Sequence, residues 1–132
     1  MINVVAGIIF NSDQQSVLLA LRKPEQHQGG RWEFPGGKQE GDETLEAALS
    51  RELLEEINLT PKTFQFRRII EHRYADKAVR LHFYDVTEFS GIAQGREGQT
   101  VQWVPVCDLD KLEIPAANRL IVDELLAGCS NS

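Results

Sequence analysis

Short apolar runs alternate with polar turns along most of the chain, and their spacing predicts the secondary structure. Runs rich in β-branched residues predict strands at residues 3–10, 16–21, 63–74, 78–86 and 100–106. The first two runs are separated only by a polar Ser-Asp-Gln-Gln turn, which predicts a hairpin between them. In the fourth run, apolar and polar residues alternate as far as Phe83, which is typical of a half-buried strand, but Asp85 then falls on the apolar face.

Two further segments have the periodicity of helices. Residues 45–57 contain neither Pro nor Gly and follow Thr44, a favourable N-cap, so they predict a first helix. Its buried stripe is expected to consist of Leu49, Leu53 and Ile57. Residues 118–126 predict a closing helix, and those expected to face inward are Leu120, Ile121, Leu125 and Leu126. Strands around two separated helices predict an α/β (α+β) fold with a mixed β-sheet between helices, in one domain spanning residues 1–132.

Composition and charge narrow the functional classes. The chain has 132 residues, of which 42% are hydrophobic and 26% charged, as in an ordinary globular domain. Its formal net charge of −6 argues against a nonspecific nucleic-acid binder, which needs a basic face, so stable nucleic-acid binding is not expected. A nucleotide substrate is compatible with this charge, because a bound divalent cation would invert the local sign.

The sequence favours a cytoplasmic protein without membrane attachment. No apolar run is long enough to cross a membrane, and the N-terminal residues lack the basic start and cleavage site of a secretion signal. Cys107 and Cys129 have neither metal-binding spacing nor a supporting His. We therefore expect two structural thiols in a reducing cytoplasm. The protein is also expected to act as a monomer.

A cluster of acidic residues on the first predicted helix is the strongest functional signal. At about 100° per residue, Glu52, Glu55 and Glu56 occupy an arc of about 100° beside the buried stripe, so their side chains can converge. Like charges at this spacing destabilise a bare helix, and Mg²⁺ is the usual neutralising ion beside phosphates. The alternative is a solvated helix face, which a pair of glutamates alone would indicate. The spacing of the whole segment behind Gly36 and Gly37 favours a cation site.

The segment 37–59, GKQEGDETLEAALSRELLEEINL, closely resembles the Nudix box. Eight of the nine fixed positions of that motif match, and Asn58 stands where the family has Gly. Asn is the next most tolerant residue in the left-handed conformation that ends a helix, so the helix stop is expected to be preserved. The resemblance covers nearly the whole chain and implies an α/β/α sandwich with a mixed sheet.

Three other segments are similar to the nucleotide-sanitising, MutT-type members of the Nudix family. They are WEFPGGK at 32–38, the GREGQ turn at 95–99 and PAANRLIV from Pro115. The similarity implies Mg²⁺-dependent hydrolysis of a nucleoside triphosphate, with 8-oxo-dGTP favoured, to the monophosphate and pyrophosphate. CTP, a modified pyrimidine nucleotide or another nucleoside diphosphate derivative is the alternative substrate. A non-catalytic module that senses a nucleotide is the alternative from another functional class.

The resemblance also implies roles for individual residues. The expected metal ligands are the carboxylates of Glu52, Glu55, Glu56 and Glu97 and the main-chain carbonyl of Gly36. The expected cofactor is Mg²⁺, for which Mn²⁺ can substitute. Glu52 is favoured as general base with Glu97 second, and Arg51 is expected to orient the carboxylates. A Glu in such a glycine-flanked turn is often simply solvated, so both interpretations of Glu97 stay open.

The expected substrate contacts lie outside the acidic helix: Arg22, His27, Glu33, Phe34 and Asn118. Arg22 can donate to phosphate as a planar fork. Asn118 can read a purine edge with its amide donor and acceptor, or it can cap the last helix. Alternatives are open for the other three as well: His27 can be a solvent-exposed loop residue, Glu33 a solvated carboxylate and Phe34 a core aromatic. Lys38 and Lys77 are basic residues without an assigned role.

Overall fold

A computed structural model describes residues 1–23 and 29–129. The strands are β1 (Ile2–Ile9), β2 (Ser16–Leu21), β3 (Trp32–Glu33), β4 (Gly36–Lys38), β5 (Thr60–Arg73), β6 (Ala78–Ser90) and β7 (Val101–Pro105). The helices are α1 (Leu45–Ile57) and α2 (Arg119–Ala127), and two 3₁₀ turns span Val106–Lys111 and Ala116–Asn118. All five predicted strands and both predicted helices are present, with ends shifted by a few residues.

The strands form two sheets, and this arrangement corrects the predicted hairpin. One sheet has the order β4-β1-β6-β5 and is mixed, because β1 and β6 run parallel while the other pairs are antiparallel. The second sheet, β3-β2-β7, is antiparallel. Strands β1 and β2 therefore belong to different sheets, and a bridge from Phe10 to Val17 is the isolated pairing found between them in the described part of the chain. Both hydrogen-bonding edges of β1 are already taken by β4 and β6, which leaves no edge for β2.

A hydrophobic core lies on either side of the strands, as the predicted α/β/α architecture requires. The core under α1 contains the whole predicted stripe, Leu49, Leu53 and Ile57, packed against residues such as Val5 and Leu18. The core under α2 contains Ile121, Val122 and Leu125, packed against Ile8, Leu19 and Phe83. The inward position predicted for Leu120 is wrong, because this side chain is 44% exposed and Val122 is buried instead. Alternate residues of β1 and β2 serve the two cores, which explains why both strands are continuously apolar.

The prediction that residues 78–86 form a half-buried strand is also wrong, because β6 lies in the middle of the mixed sheet. His82 and Tyr84 are buried on the face opposite Phe83. Asp85 is tolerated on the α2 side because Arg67 Nε donates to its carboxylate at 2.6 Å. The same guanidinium reaches Glu124 of α2 at 3.2 Å, so an ion pair ties this polar position to the closing helix.

The two cysteines form a disulfide, and the prediction of separate thiols is wrong. Cys107 lies in the first 3₁₀ turn and Cys129 follows α2, with their Cα atoms 5.8 Å apart. Their separation of 22 residues along the chain carries no pairing signal, and the packing of α2 against this turn brings them together. No helix within the described residues has the length and apolar character needed to cross a membrane.

Candidate active site

Two glycines let the backbone of β4 approach both β1 and α1. Gly36 pairs with Ala6, and a Cβ added at Gly36 would collide with the main-chain oxygen of Val5. A Cβ added at Gly37 would collide with the carboxylate of Glu52. A side chain is therefore excluded at Gly36, and one at Gly37 would displace the Glu52 carboxylate, so the strand comes directly against the acidic face of the helix.

The ends of α1 are set by local residues. Thr44 Oγ1 accepts from Ala47 N at 3.1 Å, which confirms Thr44 as the N-cap. Asn58 adopts the left-handed conformation with φ 64° and ψ 31°, as predicted for an Asn at the position where the family has Gly. Its side-chain amide also donates to Ile92 O at 3.2 Å. The helix therefore stops directly after Glu55 and Glu56 and keeps them in its last turn, beside β4.

An acidic cleft of about 260 Å³ opens between α1, β4 and the turn before β7. The side chains that line it include Arg22, Lys23, Glu33, Glu52, Glu56, Glu97 and Gln99, together with Gly36. Of the expected metal ligands, Glu55 is the one that does not line this cleft. Its side chain is 56% exposed and contacts Arg51 at 3.3 Å. The structure thus brings Glu52, Glu56, Glu97 and Gly36 together and leaves Glu55 at the edge.

Glu56 is the most perturbed carboxylate of the cleft. Its residue is 8% exposed, and its Oε2 accepts from Gly36 N at 3.2 Å. Burial raises the pKa of Glu56 to about 8, and the nearby charge of Glu33 adds to this, against the lowering effect of hydrogen bonds from Gly36 and Gln99. Such a carboxylate is costly to ionise unless a cation lies beside it.

Arg51 holds the neighbouring carboxylates without lining the cleft. Its Nη1 donates to Glu52 at 2.8 Å, and its Nη2 contacts Glu43 at 2.6 Å and Lys38 O at 2.9 Å. The pKa of Glu52 is raised by burial, and Arg51 opposes part of that shift. Arg51 therefore lies where an orienting residue is needed, because it fixes one oxygen of Glu52.

The donor set of the cleft fits a hard divalent cation. Carboxylate and carbonyl oxygens are the ligands that Mg²⁺ prefers. A cation beside the buried Glu56 carboxylate would also stabilise its ionised form, which burial disfavours. Within residues 1–23 and 29–129, no three acidic, His or Cys side chains are close enough to hold a metal ion by themselves. Mg²⁺ commonly completes its coordination with water and substrate phosphates, which this open arrangement allows.

A second cleft, of about 340 Å³, adjoins the acidic one and has an apolar floor. Arg22, Glu33 and Gly36 line both clefts, so the two lie side by side. Apolar residues such as Val4, Ala6 and Leu81 line the second cleft beside Phe34, Lys38, Tyr74, Lys77 and Asn118. A ligand with a flat apolar group and a charged tail can occupy the combined space.

The structure locates four of the five predicted substrate residues and contradicts two of the alternatives to substrate contact, the helix cap at Asn118 and the solvated carboxylate at Glu33. Asn118 is 7% exposed and faces the second cleft, and its side chain makes no capping bond to α2. Phe34 packs edge-on against Phe83 in the core and also lines the second cleft. Glu33 is not a solvated carboxylate, since Arg22 Nη1 contacts its Oε2 at 2.7 Å and burial raises its pKa. His27 lies outside the described residues.

Sequence reasoning missed Lys23, Tyr74 and Gln99, and it left Lys38 and Lys77 unassigned. Tyr74 and Lys77 flank the β5–β6 turn, where Lys77 Nζ lies 5.8 Å from the centre of the Tyr74 ring. They reach the second cleft because β5 and β6 extend to its rim, which no local pattern indicates. Gln99 lies two residues after Glu97, and its place in the GREGQ segment was a usable signal.

Comparisons with known proteins agree with this geometry. The family profile described as NUDIX domain matches residues 5–124. The 8-oxo-dGTP diphosphatase of Haemophilus influenzae is 39% identical over 125 residues, covering 95% of this chain and 91% of the relative. The CTP pyrophosphohydrolase of Escherichia coli is 37% identical over 103 residues, covering 78% and 75%. A solved structure from a study of MutT of Aliivibrio salmonicida and Vibrio cholerae has a TM-score of 0.86 and 41% identity, covering 97% of this chain and 98% of that one. The chain therefore belongs to the Nudix hydrolase family.

Proposed function

We propose that this hydrolase converts a nucleoside triphosphate to the monophosphate and pyrophosphate with Mg²⁺ as cofactor, and that its preferred substrate is 8-oxo-dGTP. One observation carries the proposal: an acidic cleft with a buried carboxylate, Glu56, adjoins an apolar cleft that presents a buried amide, Asn118. The first suits a polyphosphate held through a cation, and the second suits a nucleobase. Relatives named 8-oxo-dGTP diphosphatase support the substrate.

Residues of the acidic cleft would hold the cation. Glu56, Glu52, Glu97 and the carbonyl of Gly36 supply oxygen ligands there, and Glu55 can contribute from the solvent side. Bound Mg²⁺, or Mn²⁺ in its place, supplies neutralisation of phosphate charge and polarisation of water. Arg22 and Lys23 line the same cleft and add positive charge for the triphosphate.

Glu52 is the favoured general base for the attacking water. Burial raises its pKa, and Arg51 holds one of its oxygens, so the other can accept a proton in a fixed orientation. Glu97 faces the same cleft and is the second candidate. If Glu52→Gln hydrolyses substrate at a rate near that of the parent protein, Glu52 is not the base.

Asn118 is proposed to read the base. Its amide carries both a donor and an acceptor, and oxidation of guanine places an N–H donor where N7 was an acceptor, next to the O6 acceptor. A buried amide can satisfy that donor–acceptor pair, whereas dGTP would leave two acceptors facing it. Phe34 and the apolar floor provide the surface on which the base can pack.

A nucleotide panel tests the proposal. Pyrophosphate release is measured for 8-oxo-dGTP, dGTP, CTP and dCTP with and without Mg²⁺. We expect turnover only with the divalent ion and the highest kcat/KM for 8-oxo-dGTP. Asn118→Ala should reduce the preference for 8-oxo-dGTP over dGTP about tenfold or more. Gln94→Ala, on an exposed loop residue, is the control, and unchanged discrimination by Asn118→Ala would refute the substrate assignment.

CTP is the second candidate substrate, because the CTP pyrophosphohydrolase of Escherichia coli is 37% identical over 103 residues. The same panel decides the question, since a higher kcat/KM for CTP would replace the oxidised purine. Binding without turnover on any nucleotide would instead indicate a non-catalytic nucleotide sensor. The protein is proposed to work in the cytoplasm because free nucleotides are its substrates there, although the Cys107–Cys129 disulfide removes the support that separate thiols gave. It is also proposed to be a monomer, which light scattering of the purified protein with and without nucleotide can test.

A further inference from the structure

The turn before β7 is docked on the C-terminal end of α1. Helices leave their last carbonyl groups without intrahelical partners, and here residues 94–99 supply donors to them. Gln94 N donates to Ile57 O at 3.1 Å, and Arg96 N donates to Glu56 O at 2.9 Å. The segment that carries Glu97 is therefore attached to the helix that carries Glu52 and Glu56.

The side chain of Gln99 connects the main chains of two site residues. Its Nε2 donates to Glu56 O at 3.3 Å, and its Oε1 accepts from Glu97 N at 2.9 Å. Only one orientation of the amide satisfies both bonds, because the partners are a carbonyl oxygen and an N–H group. A single carboxamide thus joins the backbone of Glu97 to the last turn of α1, and it also acts on the Glu56 carboxyl, whose pKa it lowers, so the exchange at Glu97 N is the readout that isolates the positioning of Glu97.

Few other constraints act on the backbone of Glu97. Glycines stand on both sides of the Arg96–Glu97 pair: Gly98 has a positive φ of 85°, and a Cβ added at Gly95 would collide with Gln99 O. Glu97 itself is exposed, so packing does not fix it. The orientation of its carboxylate toward the acidic cleft therefore depends on hydrogen bonds of the turn, to which Gln99 contributes the bond at Glu97 N.

We propose that Gln99 is a positioning residue of this hydrolase, whose carboxamide holds Glu97 across the acidic cleft from Glu52 and Glu56. The inference rests on the proposed function in so far as Glu97 acts in that cleft. A carboxamide is required because the position needs a donor and an acceptor at once. Gln99 does not line the second cleft, so its loss should affect the reaction more than recognition of the base.

Amide hydrogen exchange measures the positioning directly. In Gln99→Ala the exchange of the Glu97 N–H, followed by NMR without metal or nucleotide, should become about tenfold faster, because its acceptor is gone. Gln94→Ala is the matched control: it removes the same kind of side chain from the same loop but keeps the main-chain bond from Gln94 N to Ile57 O. Equal Glu97 exchange in the two variants overturns the proposal.

Kinetics and ion binding test whether that position matters. With the best substrate of the panel, Gln99→Ala should lower kcat about tenfold and change KM by less than about twofold, as expected when only the reacting arrangement is disturbed. Its affinity for Mn²⁺, titrated alone and followed by electron paramagnetic resonance, should fall several-fold relative to Gln94→Ala. A kcat and a Mn²⁺ affinity equal to those of the control would overturn the proposal even if exchange is faster.

The outcomes separate this inference from the proposed function. If the parent protein hydrolyses no nucleotide, the proposed function fails. The amide hydrogen exchange of Glu97 and the affinity for Mn²⁺ then still decide whether Gln99 positions Glu97. If the parent is active and Gln99→Ala matches the control, only the role of Gln99 is refuted. Gln99→Met keeps the length of the side chain without its hydrogen bonds, so it should show the same defects and provides the test if the alanine variant does not fold.

Discussion

At the scale of single residues, the chain keeps polar groups in places where burial makes them costly. Glu56, His82 and Asn118 are buried polar side chains, and each has a different justification. Glu56 lies where a cation is proposed to bind, and Asn118 lies where a base is proposed to bind. His82 lines neither cleft. Its Nε2 contacts Asn3 Oδ1 at 3.1 Å, and its buried Nδ1 has no hydrogen-bond partner. For Glu56 and Asn118, contacts with a bound ligand are expected to offset the cost of burying a polar group.

Glu56→Gln is expected to stabilise the metal-free protein and to inactivate it. With a folded-state pKa of about 8, Glu56 is mostly protonated in the metal-free protein at pH 7, and taking up this proton costs folding on the order of 3 kcal/mol relative to the ionised Glu of the unfolded chain. The neutral amide removes this cost, so the Tm in EDTA should rise by several degrees. Mg²⁺-dependent turnover should fall by on the order of a hundredfold or more. The exposed Glu55→Gln is the control for Tm, and a lower metal-free Tm for Glu56→Gln than for this control would contradict the prediction.

His82 is expected to reduce stability in mild acid. Burial lowers its pKa below the ordinary value near 6.5, with Arg80 adding to the effect. The unfolded chain therefore binds the proton first, so the stabilisation is complete above about pH 6.5 and is lost as pH falls through the folded-state pKa. Urea unfolding at several pH values should show this loss, and His82→Gln should make it shallower. An equally steep acid loss in His82→Gln would contradict the assignment.

At the scale of the element, α1 combines local definition with a functional face. Thr44 caps its start, Asn58 ends it in the left-handed conformation, and the apolar stripe buries one face. The acidic face is organised by Arg51, which contacts Glu43, Glu52 and Glu55. The helix presents Glu52 and Glu56 to the cleft and leaves Glu55 at its exposed edge, where Arg51 contacts it. At about 100° per residue, Glu55 lies farthest of the three from the buried stripe, so helical spacing already separates it from Glu56.

Asn58 offers a test of how the helix stop contributes to stability. Asn58→Ala puts a residue that rarely adopts the left-handed conformation at φ 64°. It also removes the side-chain hydrogen bond to Ile92 O. It should lower the free energy of unfolding by about 1–2 kcal/mol. Asn58→Gly adopts the same conformation without strain and should lie closer to the parent protein. Urea denaturation measures both, and equal stability of the two variants would show that the left-handed conformation is not the cause.

At the scale of the whole molecule, the site exists only where distant segments meet. The acidic cleft needs α1, β4 and the turn before β7, and the second cleft needs β1, β6 and the 3₁₀ turn at Ala116–Asn118. The disulfide between Cys107 and Cys129 closes the part of the chain that contains this turn and α2. It therefore restrains the segment that places Asn118.

Reduction of the disulfide is expected to destabilise the protein. Cross-links of this kind typically contribute about 2–4 kcal/mol by restricting the unfolded chain. Adding dithiothreitol should lower the Tm of the parent protein by several degrees and leave the Cys107→Ser/Cys129→Ser variant unaffected. Thiol labelling before and after reduction reports whether the bond is present under each condition. A Tm that does not respond to reductant in protein shown to be oxidised would contradict the prediction.

Features that depend on neighbours along the chain could be predicted without the structure: the extent of α1, its N-cap, its left-handed stop, its buried stripe and the spacing of its carboxylates. These features follow from propensity, capping and periodicity, which act within a few residues. The same reasoning indicated the second helix and all five main strands. It also brought Glu52, Glu56 and Glu97 under consideration, because a motif with fixed spacing spans most of the acidic site.

The pairing of strands and the contacts between distant side chains became known from the folded protein. The tertiary structure separated β1 from β2, placed β6 at the centre of a sheet, joined Cys107 to Cys129 and brought Tyr74, Lys77 and Gln99 to the clefts. The physical reason is common to all of these: sheet edges, ion pairs and burial are satisfied by partners far away in the chain, and a local pattern contains no information about which partner will arrive.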